Sequence, residues 1–244
     1  MHAVRALIER RAGAVRRVLV QAGRVDRRAQ ELAEFARARG VLVETRPPAE
    51  LDALAAGGAH QGVVARVQPA VPLAEEDLLM RLGAASDRPA LLLVLDGVQD
   101  PHNLGACLRT ADAAGADAVV VPRDRAVGLT PVVRKVAAGA AETVAFTQVT
   151  NLARFLRALK EQGLWVVGTG GEAETLHYAA DLKGPLALVL GAEGSGMRRL
   201  TREYCDLVVR LPMQGAVESL NVSVAAGVML YEALRQRAGA SPSS

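Results

Sequence analysis

A glycine-rich turn follows an apolar strand near the end of the chain, in the segment LVLGAEGSGM at residues 188–197. Glycines placed after a strand let the backbone approach a ligand closely. The turn is not a Walker A loop, because no Gly-Lys-Ser or Gly-Lys-Thr follows it, and the Glu193 carboxylate would repel a pyrophosphate. The segment therefore predicts a ligand with little or no phosphate that is held by backbone groups; the alternative is a tight structural turn.

A second candidate segment, LDGVQDPHNLGACLRTADAAG at residues 95–115, places an amide and a cation on one predicted helix. Its apolar residues form a single stripe, which leaves Arg109 on the opposite face, where it is free to reach a ligand. Asn103 and Arg109 are therefore candidate site residues. The simpler alternative is that Asn103 only caps the helix and that Arg109 pairs with Asp112 at i, i+3 on an exposed face.

A third segment, VESLNVSVAAGVMLYEALRQR at residues 217–237, predicts a helix with polar residues clustered at its start. Ser219 or Asn221 would cap this helix, and its free N–H groups would favour a carboxylate or a phosphate. Capping explains either residue alone. It does not explain three polar loops at strand ends in one domain, and such loops meet at one edge of a parallel sheet.

The elements that must position these loops alternate between strands and helices. Residues 1–70 predict a compact α/β domain, and residues 71–89, with prolines and an acidic cluster, predict a linker with about one helical turn. Residues 90–244 predict a mostly parallel α/β domain covered by helices on both faces. Its strands are expected near 91–95, 117–121, 143–147, 164–168, 186–190 and 207–211.

Composition bounds the protein class. The 244 residues are half apolar, no apolar run approaches the length of a membrane span, and the charged N-terminal segment lacks the apolar core that a signal peptide needs. Cys107 and Cys205 form no disulfide framework and have no metal-ligand partner at short spacing. We therefore expect a reduced, cytoplasmic protein without a metal site or a membrane partner.

The positive charge of the chain is concentrated in its first third. Residues 1–70 carry twelve arginines against seven acidic residues, a net charge of +5, whereas residues 91–244 are balanced. Such a basic field attracts RNA, and we take Arg16 and Arg17 as candidate RNA-binding residues. An Arg-rich proteome would give the same bias, because 26 of the 29 basic residues are arginine.

The three segments, taken together, resemble the three motifs of the SpoU (TrmH-type) RNA ribose 2'-O-methyltransferases of the SPOUT superfamily, in the same order. The likeness continues through HQGVVARVQP and VTNLARFLRALKE and so covers nearly the whole chain. It is strongest toward the bacterial methyltransferases that act on a guanosine ribose of 23S ribosomal RNA and carry an extra N-terminal RNA-binding domain.

The resemblance implies S-adenosylmethionine as the methyl donor, a homodimer, and a trefoil knot in the C-terminal domain, which periodicity arguments do not predict. By motif position it implies a reaction centre and a cofactor site. The implied reaction centre is Asn103, Arg109, Glu193, Ser219 and Asn221. The implied cofactor site is Thr169, Gly170, Gly191, Leu211, Met213 and Leu220.

The implied reaction is attack of a ribose 2'-hydroxyl on a sulfonium methyl group. The family's proposed base is the arginine at the position of Arg109, but a guanidinium holds its proton in proteins. We therefore prefer Arg109 as a stabiliser of the forming oxyanion and as a clamp on the RNA phosphate, with deprotonation through solvent or by a transiently neutral Arg109 left open. Three alternatives stay open: methylation of a tRNA ribose, a non-catalytic ribosome-assembly RNA-binding protein, and a dinucleotide-dependent oxidoreductase.

Overall fold

The computed structural model describes residues 1–23, 26–55, 60–84 and 87–239. The chain divides into two compact units, Met1–Ala70 and Val71–Ser244. The α-helices are α1 (His2–Arg11), α2 (Arg27–Ala38), α3 (Pro48–Ala55), α4 (Glu75–Leu82), α5 (Pro101–Ala113), α6 (Pro131–Val136), α7 (Ala140–Thr143), α8 (Leu152–Glu161), α9 (Arg199–Glu203) and α10 (Val222–Ala238). The strands are β1 (Val15–Gln21), β2 (Leu42–Arg46), β3 (Val63–Val67), β4 (Leu91–Asp96), β5 (Ala118–Pro122), β6 (Ala145–Val149), β7 (Trp165–Thr169), β8 (Thr175–Leu176), β9 (Leu186–Gly191) and β10 (Leu207–Arg210).

The first unit is a three-stranded sheet in the order β2-β1-β3, in which β2 is parallel and β3 antiparallel to β1. Helices α1 and α2 bury Ile8 and Leu32 against Val18 on one face of the sheet. Helix α3 packs against β1 and β3, and its Leu51 is fully buried. This unit is the small α/β domain that the alternation of apolar runs predicts.

The second unit is a seven-stranded sheet in the order β6-β5-β4-β9-β7-β10-β8, and every strand pairing in it is parallel. Strand β4 shows why its sequence is an unbroken apolar run. Leu91, Leu93 and Leu95 pack into one core, beneath α5 and α10, while Leu92 and Val94 pack into a second core with α8. Both faces of the strand are therefore covered, as in other parallel sheets.

In the middle of this sheet lies a topological switch point, where the order in which the chain adds strands reverses its direction. From β4 the chain moves outward through β5 to β6, and it then returns to β7 on the other side of β9. Loops at the carboxyl ends of β4, β9 and β7 diverge at such a point and leave a crevice between them. The switch point therefore locates the candidate site at the carboxyl edge of the sheet.

Two expectations from the sequence need correction. Residues 71–89 are not only a linker: α4 makes two turns, buries Leu78 in the second core, and is preceded by a bridge between Leu73 and Thr147. Strand β6 begins two residues later than expected, at Ala145, because α7 occupies the residues up to Thr143. In both places a short amphipathic segment gains its structure from tertiary packing, which local composition does not reveal.

Candidate active site

All six residues expected at the cofactor site line one cavity of about 530 Å³ at the carboxyl edge of the large sheet. Thr169 ends β7 and Gly191 ends β9, while Leu211 follows β10. Leu220 lies two residues before α10. The remaining two expected residues, Gly170 and Met213, line the same cavity. A volume of this size suits a nucleoside-sized ligand.

The glycine-rich turn forms one wall of the cavity and is closed by its own backbone. Ala192 and Gly196 exchange two backbone hydrogen bonds, of 3.2 and 2.9 Å, and Gly196 adopts a φ of +65°. A Cβ atom at Gly191 would lie 2.0 Å from the carbonyl carbon of Gly196. Residue 191 must therefore be glycine, because the returning backbone occupies the space of a side chain.

Acidic side chains dominate the charge of the cavity. Glu172, Glu193 and Glu218 line it, and Arg202 is the one basic side chain among the described residues that do so. Arg202 forms an ion pair with Glu172. The lining therefore suits a ligand with net positive charge and disfavours a pyrophosphate.

A hydrogen bond joins the first and third sequence segments. The Asn221 side-chain amide donates to Oδ1 of Asn103 at 2.9 Å, and Asn221 Oδ1 accepts from the Ser223 backbone N–H at 2.9 Å. Asn221 is thus the N-cap of α10, whereas Ser219 lines the cavity and makes no cap. Residues 118 positions apart therefore meet beside the cavity.

Asn103 is not the cap of α5, contrary to the simpler alternative. Asp100 caps that helix by accepting the His102 N–H at 2.9 Å, and Pro101 takes the first helical position. Asn103 lies in the first turn, where its side chain is left to bond Asn221.

Arg109 lies on the exposed face of α5 and does not line the cavity of its own chain. Within the described parts of the chain its guanidinium has no hydrogen bond or ion pair, so the expected alternative pair with Asp112 is not formed. Asp112 instead accepts the Thr143 hydroxyl at 2.8 Å. The guanidinium of Arg109 is therefore available to a partner outside this chain.

Sequence reasoning missed an ion pair that holds the end of the glycine-rich turn. Asp96, the last residue of β4, has a fully buried side chain and accepts two hydrogen bonds from Arg198. These come from the backbone N–H at 2.8 Å and from Nε at 2.6 Å, and Nη2 completes the ion pair at 2.6 Å from Oδ1. Asp96 is also in register with Gly191 on β9. The only signal in the sequence is a carboxylate that ends an otherwise apolar strand.

The two cysteines are not candidates for nucleophilic chemistry. Burial raises the pKa of the Cys107 thiol to about 12, and burial is also the main cause that raises the pKa of Cys205 to about 11. Both therefore remain protonated near neutral pH.

The described ranges contain no group of three or more His, Cys, Asp or Glu side chains placed to hold a metal ion. They also contain no helix with both the length and the apolar character that a membrane span requires.

The two candidate RNA-binding arginines lie on β1 of the first unit. Arg16 is exposed at a bulge, where the register with β3 shifts. Arg17 is half-buried and donates to Glu44 Oε1 at 2.6 Å. The structure therefore leaves Arg16 open to solvent and engages Arg17 in an ion pair.

Comparison with known proteins covers both units. Residues 90–231 match the model of the SpoU rRNA Methylase family, and residues 1–73 match a model described as RNA 2'-O ribose methyltransferase substrate binding. Two similar curated proteins are each named 23S rRNA (guanosine-2'-O-)-methyltransferase RlmB. The one from Pseudomonas putida is 55% identical over 97% of this chain and 95% of its own length. The one from Escherichia coli K12 is 52% identical over 97% of each chain.

A solved structure shows the same fold. The SpoU methyltransferase AviRb from Streptomyces viridochromogenes, in complex with the cofactor AdoMet, matches with a TM-score of 0.71 at 26% identity. The match covers 98% of this chain and 88% of AviRb. The family match spans more than half of the chain and includes the first two segments and residues 217–231 of the third. The chain therefore belongs to the SpoU rRNA methylase family.

Proposed function

We propose that this protein transfers a methyl group from S-adenosylmethionine to the ribose 2'-oxygen of a guanosine in 23S ribosomal RNA. One observation carries the proposal: in a chain of the SpoU family, six residues expected at a cofactor site line a single cavity at the carboxyl edge of the sheet. The curated relatives whose name states this reaction match the chain over nearly its whole length.

The cavity fits the proposed donor in shape and charge. S-adenosylmethionine has no phosphate, and its sulfonium and ammonium groups outnumber its single carboxylate. Three glutamates and one arginine line the cavity, so its charges complement those of the donor. At Gly191 the returning backbone of the turn lies against the end of β9, so backbone groups form this part of the cavity wall and can bond the donor. Bound in this cavity, the donor would supply an activated methyl group.

The residues around the cavity provide the rest of the proposed chemistry. Attack by the 2'-oxygen would break the bond between the methyl carbon and sulfur, release S-adenosylhomocysteine and pass the hydroxyl proton to solvent. A 2'-hydroxyl is a weak nucleophile, and a cation near its oxygen stabilises the negative charge that forms during attack. Arg109 is the proposed stabiliser and the proposed clamp on the neighbouring RNA phosphate. The bonded pair Asn103–Asn221 fixes the start of α10 beside the cavity. Glu193 and Ser219 lie on the cavity wall, where they would contact the donor or the ribose.

A homodimer is part of the proposal, since Arg109 does not line its own chain's cavity and would have to act at a site shared with a second copy. Helix α10 supports this view because it exposes three apolar side chains at i, i+4 and i+7: Val224, Val228 and Tyr231. They begin three residues after Asn221, at the cavity end of the helix. A second copy of the chain would cover this apolar stripe. We also propose a cytoplasmic location, where the substrate RNA and the reduced thiols are expected.

The experiment that tests the proposed function is methyl transfer from labelled S-adenosylmethionine to unmodified transcripts of 23S rRNA and of tRNA. A 2'-O-methyl group blocks alkaline cleavage of the adjacent phosphodiester, so resistance to alkali locates the product. We expect label in one guanosine ribose of the 23S transcript and none in tRNA. Label in tRNA alone would favour the tRNA alternative, and binding without transfer would favour the assembly-protein alternative.

A further inference from the structure

The sheet of the first unit carries a cluster of arginines on the face opposite α1 and α2. Val18 packs against those two helices, so its neighbours Arg17 and Leu19 belong to the other face. The strand register adds Arg66 from β3, and Glu44 and Arg46 from β2. We call Arg17, Arg46 and Arg66 together the arginine face; Glu44 lies among them.

Arg17 and Arg66 are direct partners across antiparallel strands. Two like charges in such a position destabilise the strand pairing. Arg17 is compensated by its bond to Glu44, but Arg66 is exposed and has no hydrogen bond or ion pair among the described residues. A local arrangement that opposes stability is typical of a functional surface.

The carboxylates near the cluster do not neutralise it. Glu44 accepts bonds from both Arg17 and Arg46, at 2.6 and 2.5 Å. The hydrogen bond from Arg46, together with the positive charges of Arg17 and Arg66, lowers the pKa of Glu44. Glu50 lies farther away, with its Oε1 3.9 Å from Arg46 Nε. That Nε atom is buried and has no hydrogen-bond partner within the described part of the chain. Two carboxylates therefore face three guanidiniums.

By contrast, several arginines of α1 and α2 already have an ion pair or an aromatic contact within this unit. Arg5 pairs with Glu9, and Arg27 pairs with Glu31, both at i, i+4 on exposed helix surfaces. Arg5 and Arg39 also stack on Phe35, at 4.3 and 3.6 Å from its ring centroid. Two guanidiniums thus cover the one aromatic side chain of the unit, which leaves little of its face for base stacking.

We propose that the arginine face is the surface through which the first unit binds the phosphate backbone of its RNA substrate. This inference rests on the proposed function for the identity of the RNA. Guanidinium groups suit the task because they donate two parallel hydrogen bonds to one phosphate. Arg66 is exposed and has no ion pair among the described residues, and the Arg46 side chain is 41% exposed, so both can donate to a phosphate, while Glu44 holds Arg17 and Arg46 through its two oxygens.

The test compares Arg66→Gln with Arg27→Gln in the full-length protein, because both substitutions remove one exposed cation from the same unit. Binding to an unmodified 23S rRNA transcript is measured by filter retention between about 50 and 200 mM salt. Arg66→Gln should weaken binding about tenfold and reduce the slope of log affinity against log salt by about 1. Arg27→Gln should leave both values close to wild type. Donor affinity should be equal in all three proteins.

Thermal unfolding distinguishes an RNA-binding role of Arg66 from a structural one, because loss of a structural residue would lower the melting temperature. Because Arg66 opposes Arg17, Arg66→Gln should melt at or above the wild-type temperature while it binds RNA more weakly. Wild-type RNA affinity in Arg66→Gln, or an equal loss in Arg27→Gln, would overturn the inference. Methyl transfer by the wild-type protein is measured on the same transcript. Failure of that transfer would contradict the proposed function, whereas the difference in binding between the two variants would still be measurable.

Discussion

Replacement of Arg198 by Met should destabilise the second unit and weaken donor binding together. The substitution removes the Nε hydrogen bond and the guanidinium charge from the fully buried Asp96 carboxylate and leaves it with one backbone N–H. Breaking a fully buried ion pair costs about 3 to 5 kcal/mol. The Arg198 side chain is 44% exposed, so water can reach its side of the pair, and we expect a smaller loss of about 2 to 3 kcal/mol.

Urea and thermal unfolding measure this loss, which corresponds to a decrease of about 5 to 10 °C in the melting temperature of the second unit. Arg199→Met is the matched control. Arg199 pairs only with Glu203 at i, i+4 on an exposed helix, and such pairs contribute about 0.3 to 0.5 kcal/mol. Equal unfolding free energies for the two variants, within about 0.5 kcal/mol, would refute the reasoning.

The double variant Asp96→Asn/Arg198→Met separates stability from positioning. It leaves no uncompensated buried charge, so it should recover part of the unfolding free energy that Arg198→Met loses. The glycine-rich turn ends at Met197, and Arg198 is the next residue. Because the turn forms one wall of the cavity, loss of the bond between the Arg198 guanidinium and Asp96 should still loosen that wall. Donor affinity, measured by equilibrium dialysis, should therefore stay about tenfold below wild type in both variants. Full recovery of affinity along with stability would show that the pair only stabilises the fold.

Gly191→Ala places a Cβ atom 2.0 Å from the Gly196 carbonyl carbon and should reduce donor affinity at least tenfold in equilibrium dialysis, while Gly184→Ala, where nothing lies within 4 Å, should bind normally. Tyr231→Asp puts a charge into the exposed stripe of α10 and should shift the protein to a monomer in sedimentation experiments; an unchanged dimer would remove that stripe from the interface. The bonds from Arg235, and then from Gln236, lower the pKa of Glu232 from 4.5 to about 2, so its stabilisation is present above about pH 4.5 and is lost as the pH falls toward 2. Glu232→Gln should therefore flatten the dependence of unfolding free energy on pH in that window, and an acid limb identical to wild type would contradict the assignment.

The sequence predicts the large sheet well because its central strands are covered on both faces. Strands β4 and β9 appear as apolar runs of five or six residues that no amphipathic helix would produce. Strand β8 escapes prediction because it has only two residues and gains its order from pairing with β10. Helix α4 is longer than the single turn expected, because the prolines on either side of it and its acidic first turn are typical of a linker, and Leu78 is its one fully buried side chain among the described residues.

Sequence patterns predict the local features of the candidate site, but they do not predict contacts between residues that are far apart in the chain. Asp100 before Pro101 is a local cap signal, and it competes with Asn103 for the start of α5. The bond between Asn103 and Asn221 depends on the tertiary fold, and no pattern within either segment predicts it. The ion pair of Asp96 with Arg198 spans 102 positions and is equally invisible to periodicity. The six cavity residues were predicted from the resemblance of the three segments, in order, to the family's motifs. Residue spacing alone does not predict them.

The most direct test of the account is the single-turnover rate of methyl transfer by Arg109→Ala, at saturating RNA and donor. Arg157→Ala, which removes an exposed arginine of α8 paired at i, i+4 with Glu161, is the control. Loss of one preorganised stabiliser of a forming oxyanion reduces rates by about 10² to 10³. We expect a decrease of that size for Arg109→Ala, with donor affinity unchanged and the control at the wild-type rate. An unchanged rate in Arg109→Ala would contradict a role for Arg109 in methyl transfer.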